Sequence, residues 1–297
     1  MLFKVYLIKI VNEMKLSVVI LSMTTTMQLF EMTTNCINSI CESEKDIELE
    51  IIIIESNENY LESRFQYPSF VEVIVPLETF NFHRFLNIGI KKSTGQYIAL
   101  CNNDLLFQNN WFTEIEIIAK QNEKIMSFSP VEKCLAGSLE KNGDMGYEIG
   151  YKVMTHIKGW CLVVKKELFQ KIGLLDETFD FYYADNDYAM TLKSNNILHA
   201  LVLKSCVIHL EKQSSGKSTS KNSRLDLELL SNYDIPNYLY EEKYEWVLNN
   251  ERNLSAFLKY HNKWGAPNFL YRKNRLADIL IKNKLGFFNR FLLPLRF

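Results

Sequence analysis

The chain has 297 residues, enough to bury roughly three quarters of its unfolded surface in one large domain, or one domain with an appendage, without disulfide or metal staples. Hydrophobic residues make up 47% and charged residues 23%, which excludes a disordered or collagen-like chain. A net charge of -1 supplies no global field to draw the protein to nucleic acid.

In chain order, residues 1–11 are apolar but interrupted by Lys4 and Lys9. They are too short to span a bilayer and lack a small-residue cleavage site. The strand pattern begins just after Met14. Residues 16–21 (LSVVIL) predict a strand buried on both faces. Residues 27–42 show helical spacing, with Leu29, Phe30, Met32, Cys36, Ile37 and Ile40 on one face. Residues 49–54 (LEIIII) predict a second strand ending in Glu55-Ser56-Asn57, and residues 71–75 a third. Residues 85–92 read as a helix stopped by Ser93-Thr94-Gly95. Residues 97–101 (YIALC) give a fourth strand running into Asn102-Asn103-Asp104, followed by a helix over 111–121. Strands alternating with helices predict an α/β fold with a mostly parallel sheet. In such sheets ligands sit beyond the carboxyl ends of the strands. Here those ends carry three polar groups, 22–26, 55–57 and 102–104, expected to meet in one crevice.

The second half reads differently. Residues 137–150 are rich in Gly and polar residues and predict a loop or hairpin. Residues 159–164 predict a strand, 166–172 a short helix closed by Gly173, 185–192 a helix, and 200–208 a strand ending at His209. The Lys/Ser-rich stretch 211–223 predicts a loop. From Leu225 the pattern is helical, and residues 268–297 carry about six net positive charges. The expected organisation is an extension over 1–14, a catalytic domain over 15–223 with halves 15–130 and 131–223, and a helical basic extension over 224–297. The six cysteines form no CxxC pair and read as reduced, mostly buried thiols of a cytosolic protein.

Two blocks resemble the family 2 glycosyltransferases of the GT-A fold. The first runs LSVVIL, EIIIIESNEN, LNIGIKKSTGQYIALCNND. The second is KGWCLVVKKELFQKIGLLDETFDFYYADNDYAMTLK followed by a strand to His209, and KYHNKWG at 259–265 resembles a further patch of some polysaccharide-building members. The resemblance implies a Rossmann-like sheet flanked by helices with a helical C-terminal extension, binding a nucleotide diphosphate sugar and passing the sugar to a glycan hydroxyl. It implies inverting stereochemistry and a divalent cation, Mn2+ or Mg2+. It also implies acceptors that include lipid-linked glycans, and hence a place in the cytoplasm or peripherally on the cytoplasmic face of a membrane.

Such a transfer needs the departing diphosphate neutralised and the acceptor hydroxyl deprotonated. Asp104, just past a buried strand, and His209, ending another, are the expected metal ligands, an oxygen and an imidazole suited to these ions. Asn102 stands where the family usually has a first Asp, so two-carboxylate ligation is not expected. Asn102 and Asn103 are expected near ribose or metal-bound water, although Asn-Asn-Asp also suits a plain turn. Asp185 matches the family's catalytic base; Asp187, whose bland role is a first-turn carboxylate on the helix dipole, is the alternative. Glu55 and Thr24 are expected at the nucleotide, with Arg84 and Asn87 nearby or simply on a helix surface. Gly159 and Trp160 are acceptor-site candidates, the Trp either stacking on a sugar or filling core.

Ser215-Gly216-Lys217-Ser218 imitates the end of a phosphate-binding loop, but Glu211 stands where that motif needs glycine. Lys212 or Lys217 would instead close over the diphosphate from a lid. The basic, aromatic tail (Arg272, Arg275, Lys282, Phe287, Phe288, Phe291) suits an anionic membrane surface or a partner helix. The competing functions are nucleotidyl transfer, disfavoured because 22–26 lacks glycine and base, and a catalytically degenerate glycan-binding or scaffold protein, which the substitutions Asn102 and Ala184 would suit.

Overall fold

The computed structural model describes residues 14–132, 146–210, 225 and 227–293. Cys134, the 211–223 stretch with Lys212, Lys217 and the Ser215–Ser218 quartet, and Arg296 lie outside the described residues, as does most of 1–14.

The described residues form nine strands in one sheet, in the order β3-β2-β1-β4-β8-β6-β9-β5 with β7 also on β9. These are β1 Lys15–Ser22, β2 Glu48–Glu55, β3 Val71–Ile74, β4 Tyr97–Asn102, β5 Leu105–Phe107, β6 Ile125–Val131, β7 Tyr147–Ile149, β8 Cys161–Lys165 and β9 Leu198–His209. β1 to β4 pair in parallel. β8 runs against both β4 and β6, β9 is parallel to β6, and β5 and β7 run against β9. Six strands therefore share one direction and three oppose it, the mostly parallel sheet that the βα alternation predicts.

The unbroken apolar runs follow from burial on both faces. Val18, Ile20, Ile51 and Ile53 enter one core; Val19, Leu21, Ile52 and Ile54 enter the other. Alternation with period two supplies both layers, and each fully buried Ile contributes roughly 1.5–3 kcal/mol. Helices α1 (Met27–Ser43) and α3 (Trp111–Gln121) cover the first layer through Cys36, Ile37, Ile40, Trp111 and Phe112. Helices α2 (Phe82–Lys92), α4 (Leu168–Ile172) and α5 (Ala184–Ser194) cover the second through Phe85, Leu86, Leu168, Tyr188 and Leu192.

Three local differences from expectation have physical reasons. α2 starts at Phe82, three residues early, because the Asn81 side chain caps it by accepting the Arg84 N–H at 2.9 Å. β6 was not expected, since Ser127, Ser129 and Pro130 break its apolar pattern. Ser127 is satisfied inside by the Tyr188 hydroxyl at 2.7 Å and His199 Nδ1 at 2.8 Å, and the ladder shifts register at Pro130/Val131. Gly159 and Trp160 precede β8 rather than opening it, because the Cys161 N–H turns back to the Lys158 carbonyl at 2.9 Å. Cys36, Cys41, Cys101 and Cys161 are free thiols as expected, but Cys206 is disulfide-bonded, against the expectation of six reduced thiols.

The C-terminal part is helical, with α6 (Leu227–Leu230), α7 (Glu251–Trp264), α8 (Pro267–Lys282), α9 (Asn289–Leu292) and short 3-10 segments between. α7 stops at Gly265, whose φ of +109° suits glycine, and α8 restarts with Pro267 in its first turn. This part shares a core with the α/β region: Phe179, Ala184 and Met190 pack with Tyr260, Trp264, Leu270 and Ala277. Among the described residues no helix is long and apolar enough to cross a membrane.

Candidate active site

The three polar strand ends meet as the sheet geometry requires. Ser22, Met23, Ser56, Asn102 and Asn103 line one cavity of about 280 Å3 at the carboxyl ends of β1, β2 and β4. Glu55 fixes the floor beside it: its Oε1 accepts the N–H groups of Thr24 at 2.9 Å and Asn57 at 2.8 Å. Its Oε2 is buried without a hydrogen-bond partner, an acceptor left over for a ligand donor.

Asp104 follows β4 and opens β5. β5 pairs antiparallel with the end of β9, matching Leu105 to His209, and the Leu210 N–H closes on the Asp104 carbonyl at 2.9 Å. This brings His209 Nε2 to 3.3 Å from Asp104 Oδ1. Asp104 is buried, and that Oδ1 accepts no hydrogen bond. A buried, unsatisfied carboxylate oxygen against an imidazole fits a divalent cation with hard or borderline preference. No group of three or more His, Cys, Asp or Glu residues is placed to hold a metal among the described residues, so a cation here would need ligands from its substrate and from water.

The imidazole leads on to Asp185. Trp160 stacks on His209 with centroids 5.4 Å apart and planes at 25°. Its neighbour Gly159 lies so close to Asp185 that a Cβ there would fall 2.1 Å from Oδ2; only glycine lets the carboxylate occupy that place. Asp104, His209, Trp160, Gly159 and Asp185 thus form one contiguous line of contacts. Asp185 sits in the first turn of α5. It keeps partial exposure, while burial of its carboxyl group pushes the pKa up to about 6.

Several expected site residues are committed elsewhere. Asp187 is not an available base: its Oδ1 accepts the Trp264 indole N–H at 2.7 Å and lies 2.7 Å from Lys263 Nζ. Burial raises its pKa, and Lys263 and Trp264 offset part of that. Lys263 also pairs with Asp176 at 2.7 Å, so one lysine and one indole tie α7 to α5. Arg84 pairs with Glu177 at 3.0 Å and Glu78 at 3.2 Å. Asn87 is buried, donating to the Leu175 carbonyl at 2.9 Å and accepting the Leu175 N–H at 3.0 Å. Both hold α2 to the 175–177 turn rather than facing the crevice. Asn103 lines the crevice but donates its amide to the Thr33 hydroxyl at 2.9 Å. Thr24 is fully buried, its hydroxyl bonded to Tyr67, so only its backbone is aligned by Glu55. Trp160 is 8% exposed with one face on His209, which makes it a support for the imidazole rather than an open platform for a sugar.

The crevice also has walls that sequence reasoning missed. Phe80, Phe82 and Phe181 line the same cavity, and Phe181 meets Phe82 edge-on at 6.2 Å. Their signal was present, aromatics flanking a helix start and the acidic segment, but an aromatic beside apolar neighbours reads first as core.

The sequence model described as glycosyl transferase family 2 matches residues 18–174. No curated protein matches the chain. Among solved structures, GalNAc-T7 with UDP, GalNAc and Mn2+ superposes with a TM-score of 0.59 at 13% identity, over 93% of this chain and 54% of that one. S. aureus TarS 1-349 gives 0.47 at 15% identity, covering 65% of this chain and 59% of that one. A second S. aureus TarS structure gives 0.47 at 14%, covering 65% and 36%. The chain therefore spans less than two thirds of each of these structures, and at such identities the likeness speaks for the fold alone. With the family model covering more than half of the sequence, the chain belongs to glycosyl transferase family 2, and its fold is that of the GT-A glycosyltransferases.

Proposed function

We propose that this protein is a metal-dependent, inverting glycosyltransferase that moves a sugar from a nucleotide diphosphate sugar to a hydroxyl of a glycan acceptor. The observation that carries the reading is the unbroken line from the unsatisfied Asp104 oxygen through His209, Trp160 and Gly159 to Asp185. Glu55 and the crevice between β1, β2 and β4 receive the nucleotide, with Phe80, Phe82 and Phe181 excluding water from one side. Asp104 and His209 would hold Mn2+ or Mg2+, which when bound neutralises the diphosphate and orients the donor. Asp185 accepts the acceptor's proton as that oxygen bonds to the anomeric carbon. The bond to the diphosphate breaks on the opposite face, and the nucleoside diphosphate leaves with the electron pair. A carboxylate whose pKa is near 6 suits this role, being ionised at neutral pH yet a stronger base than an exposed one.

The test is hydrolysis and transfer with a panel of nucleotide sugars and Mn2+. Metal-dependent turnover by the unaltered chain, reduced at least a hundredfold in Asp104→Ala, is expected. Tight glycan binding with no turnover of any donor would instead establish the degenerate, glycan-binding reading that Asn102 and Ala184 suit. A cytoplasmic protein with its C-terminal part on the cytoplasmic face of a membrane, working on lipid-linked acceptors, completes the proposal. The surface of that part supports it: Tyr271 (70% exposed), Ile279, Phe287, Phe288 and Phe291 stand out among exposed Arg272, Arg275 and Arg290.

A further inference from the structure

Outside the crevice, the largest cavity described is a cleft of about 1110 Å3 between α5, the 149–156 segment and α8. That volume lies at or above the upper end for small-molecule sites, which suits a short oligosaccharide better than one sugar. Asn186, Ala189, Met190 and Lys193 line it from α5, a spacing that puts them on one helix face.

The cleft reaches the first turn of α5, the turn that carries Asp185. Asn186 follows Asp185 directly on α5. On the facing wall His156 lines the cleft, and three residues further on Gly159 touches the Asp185 carboxylate. Two separate elements thus run from this cavity to the base. His156 is held in place: Gly150 packs so closely on its ring that a Cβ there would lie 2.4 Å away.

The charge of the lining is one-sided. Lys152, Lys193, Lys282 and Lys284 face the cavity together with His156. Asp278 is the one carboxylate among the lining residues, and it is spent on Lys193 at 2.8 Å. Glu148 stands at the rim, 3.9 Å from His156 Nε2. Lys152, Lys282 and Lys284 are exposed and make no ion pair among the described residues. Tyr151 adds a half-buried ring, with Lys193 Nζ 5.5 Å from its centre. Three ammonium groups without an ion pair among the described residues, beside the half-buried Tyr151, match a sugar chain that carries anionic groups.

We infer that this cleft is the acceptor-binding groove, and that it takes an anionic glycan, one bearing carboxylates or phosphates along its length, whose terminal hydroxyl reaches Asp185. This rests on the glycosyl-transfer reading and adds the acceptor class to it. Lys152, Lys282 and Lys284 bind the anionic groups, and the half-buried Tyr151 borders the sugar rings.

The test measures binding of fluorescent hexasaccharides to the full-length chain: an oligouronate, a phosphate-bearing oligoglycoside and a neutral oligoglucoside. At least one anionic probe is expected to bind tenfold or more tighter than the neutral one, weakening with salt. The variant Lys152→Gln/Lys282→Gln/Lys284→Gln is expected to lose at least tenfold for that probe and little for the neutral one. Which anionic probe binds assigns carboxylate or phosphate. Equal affinity for charged and neutral probes, or an unchanged triple variant, overturns the inference. So does a triple variant that loses binding only to phosphatidylserine vesicles, which would assign these lysines to a membrane. Donor hydrolysis by the unaltered chain, run alongside, separates the two claims. Hydrolysis without anionic preference overturns the groove and leaves the transfer reading intact, whereas selective anionic binding with no hydrolysis of any donor removes the transfer reading.

Discussion

At the scale of single residues, the proposed mechanism rests on two carboxylates placed in different surroundings. Asp104 is buried against His209 with an oxygen unsatisfied, which suits a cation. Asp185 has no cation among the causes of its shift; burial alone raises its pKa to about 6. The direction sets the pH dependence. A raised carboxyl pKa means the protonated, inactive form dominates below about pH 6 and the carboxylate above it. The expected kcat/KM is level above pH 7 and falls tenfold per unit below about 6. Asp185→Asn is expected to lower kcat by a factor of about 10²–10⁴ and to remove that limb from whatever activity remains. A profile level down to pH 4 would take the base role from Asp185.

At the scale of elements, α5 carries the proposed base, Asp185, but does not hold itself in place. Its first residue follows Tyr183 in a left-handed conformation, with φ of 63°, and that ring packs on Phe257 and Tyr260 of α7. Asp187, two residues past the base, is buried and answered by Trp264 and Lys263 of α7. Lys263 and the Thr178 groups also outweigh burial at Asp176, holding its pKa at about 2. The C-terminal helices therefore clamp the helix that presents Asp185. Trp264→Phe keeps the ring and removes the N–H, leaving a buried carboxylate short of one hydrogen bond. The expected cost is about 1–3 kcal/mol, read as a lower midpoint in urea at unchanged slope. A midpoint equal to that of the unaltered chain would show that the indole bond does not hold α5.

At the scale of the whole molecule, a charge near neutrality hides a strong local asymmetry. The exposed aromatics of α8 and the 286–291 turn stand among arginines and lysines, while the candidate crevice opens at the carboxyl ends of the sheet strands. A surface of this kind binds anionic bilayers by combining apolar insertion with charge attraction. The full chain is expected to sediment with phosphatidylcholine vesicles containing about a third phosphatidylserine but not with phosphatidylcholine alone, and to be released by high salt. Phe288→Ser/Phe291→Ser, at two exposed positions, is expected to lower the partition about tenfold or more. Equal sedimentation with both vesicle types would remove the membrane from the proposal.

The local sequence determined the parallel half of the sheet, because strands such as residues 16–21 and 49–54 are buried on both faces and leave little room for another reading. It also determined the crevice: parallel strands must carry their ligand groups at one end, and 22–23, 56 and 102–103 do meet there. Asp104, Asp185 and His209 were singled out through their order along the chain, and the fold joins them in one line of contacts. What tertiary structure decided was each polar side chain's partner. Asn87, Arg84, Asn103 and Asp187 look like ligand residues in one dimension, yet their hydrogen bonds go to Leu175, Glu177, Thr33 and Trp264. Those partners lie 70 to 93 positions away, and a polar group cannot signal locally whether a distant residue or a substrate will satisfy it. β6 was hidden for the same reason, since Ser127 becomes compatible with a buried strand only when Tyr188 and His199 fold over it.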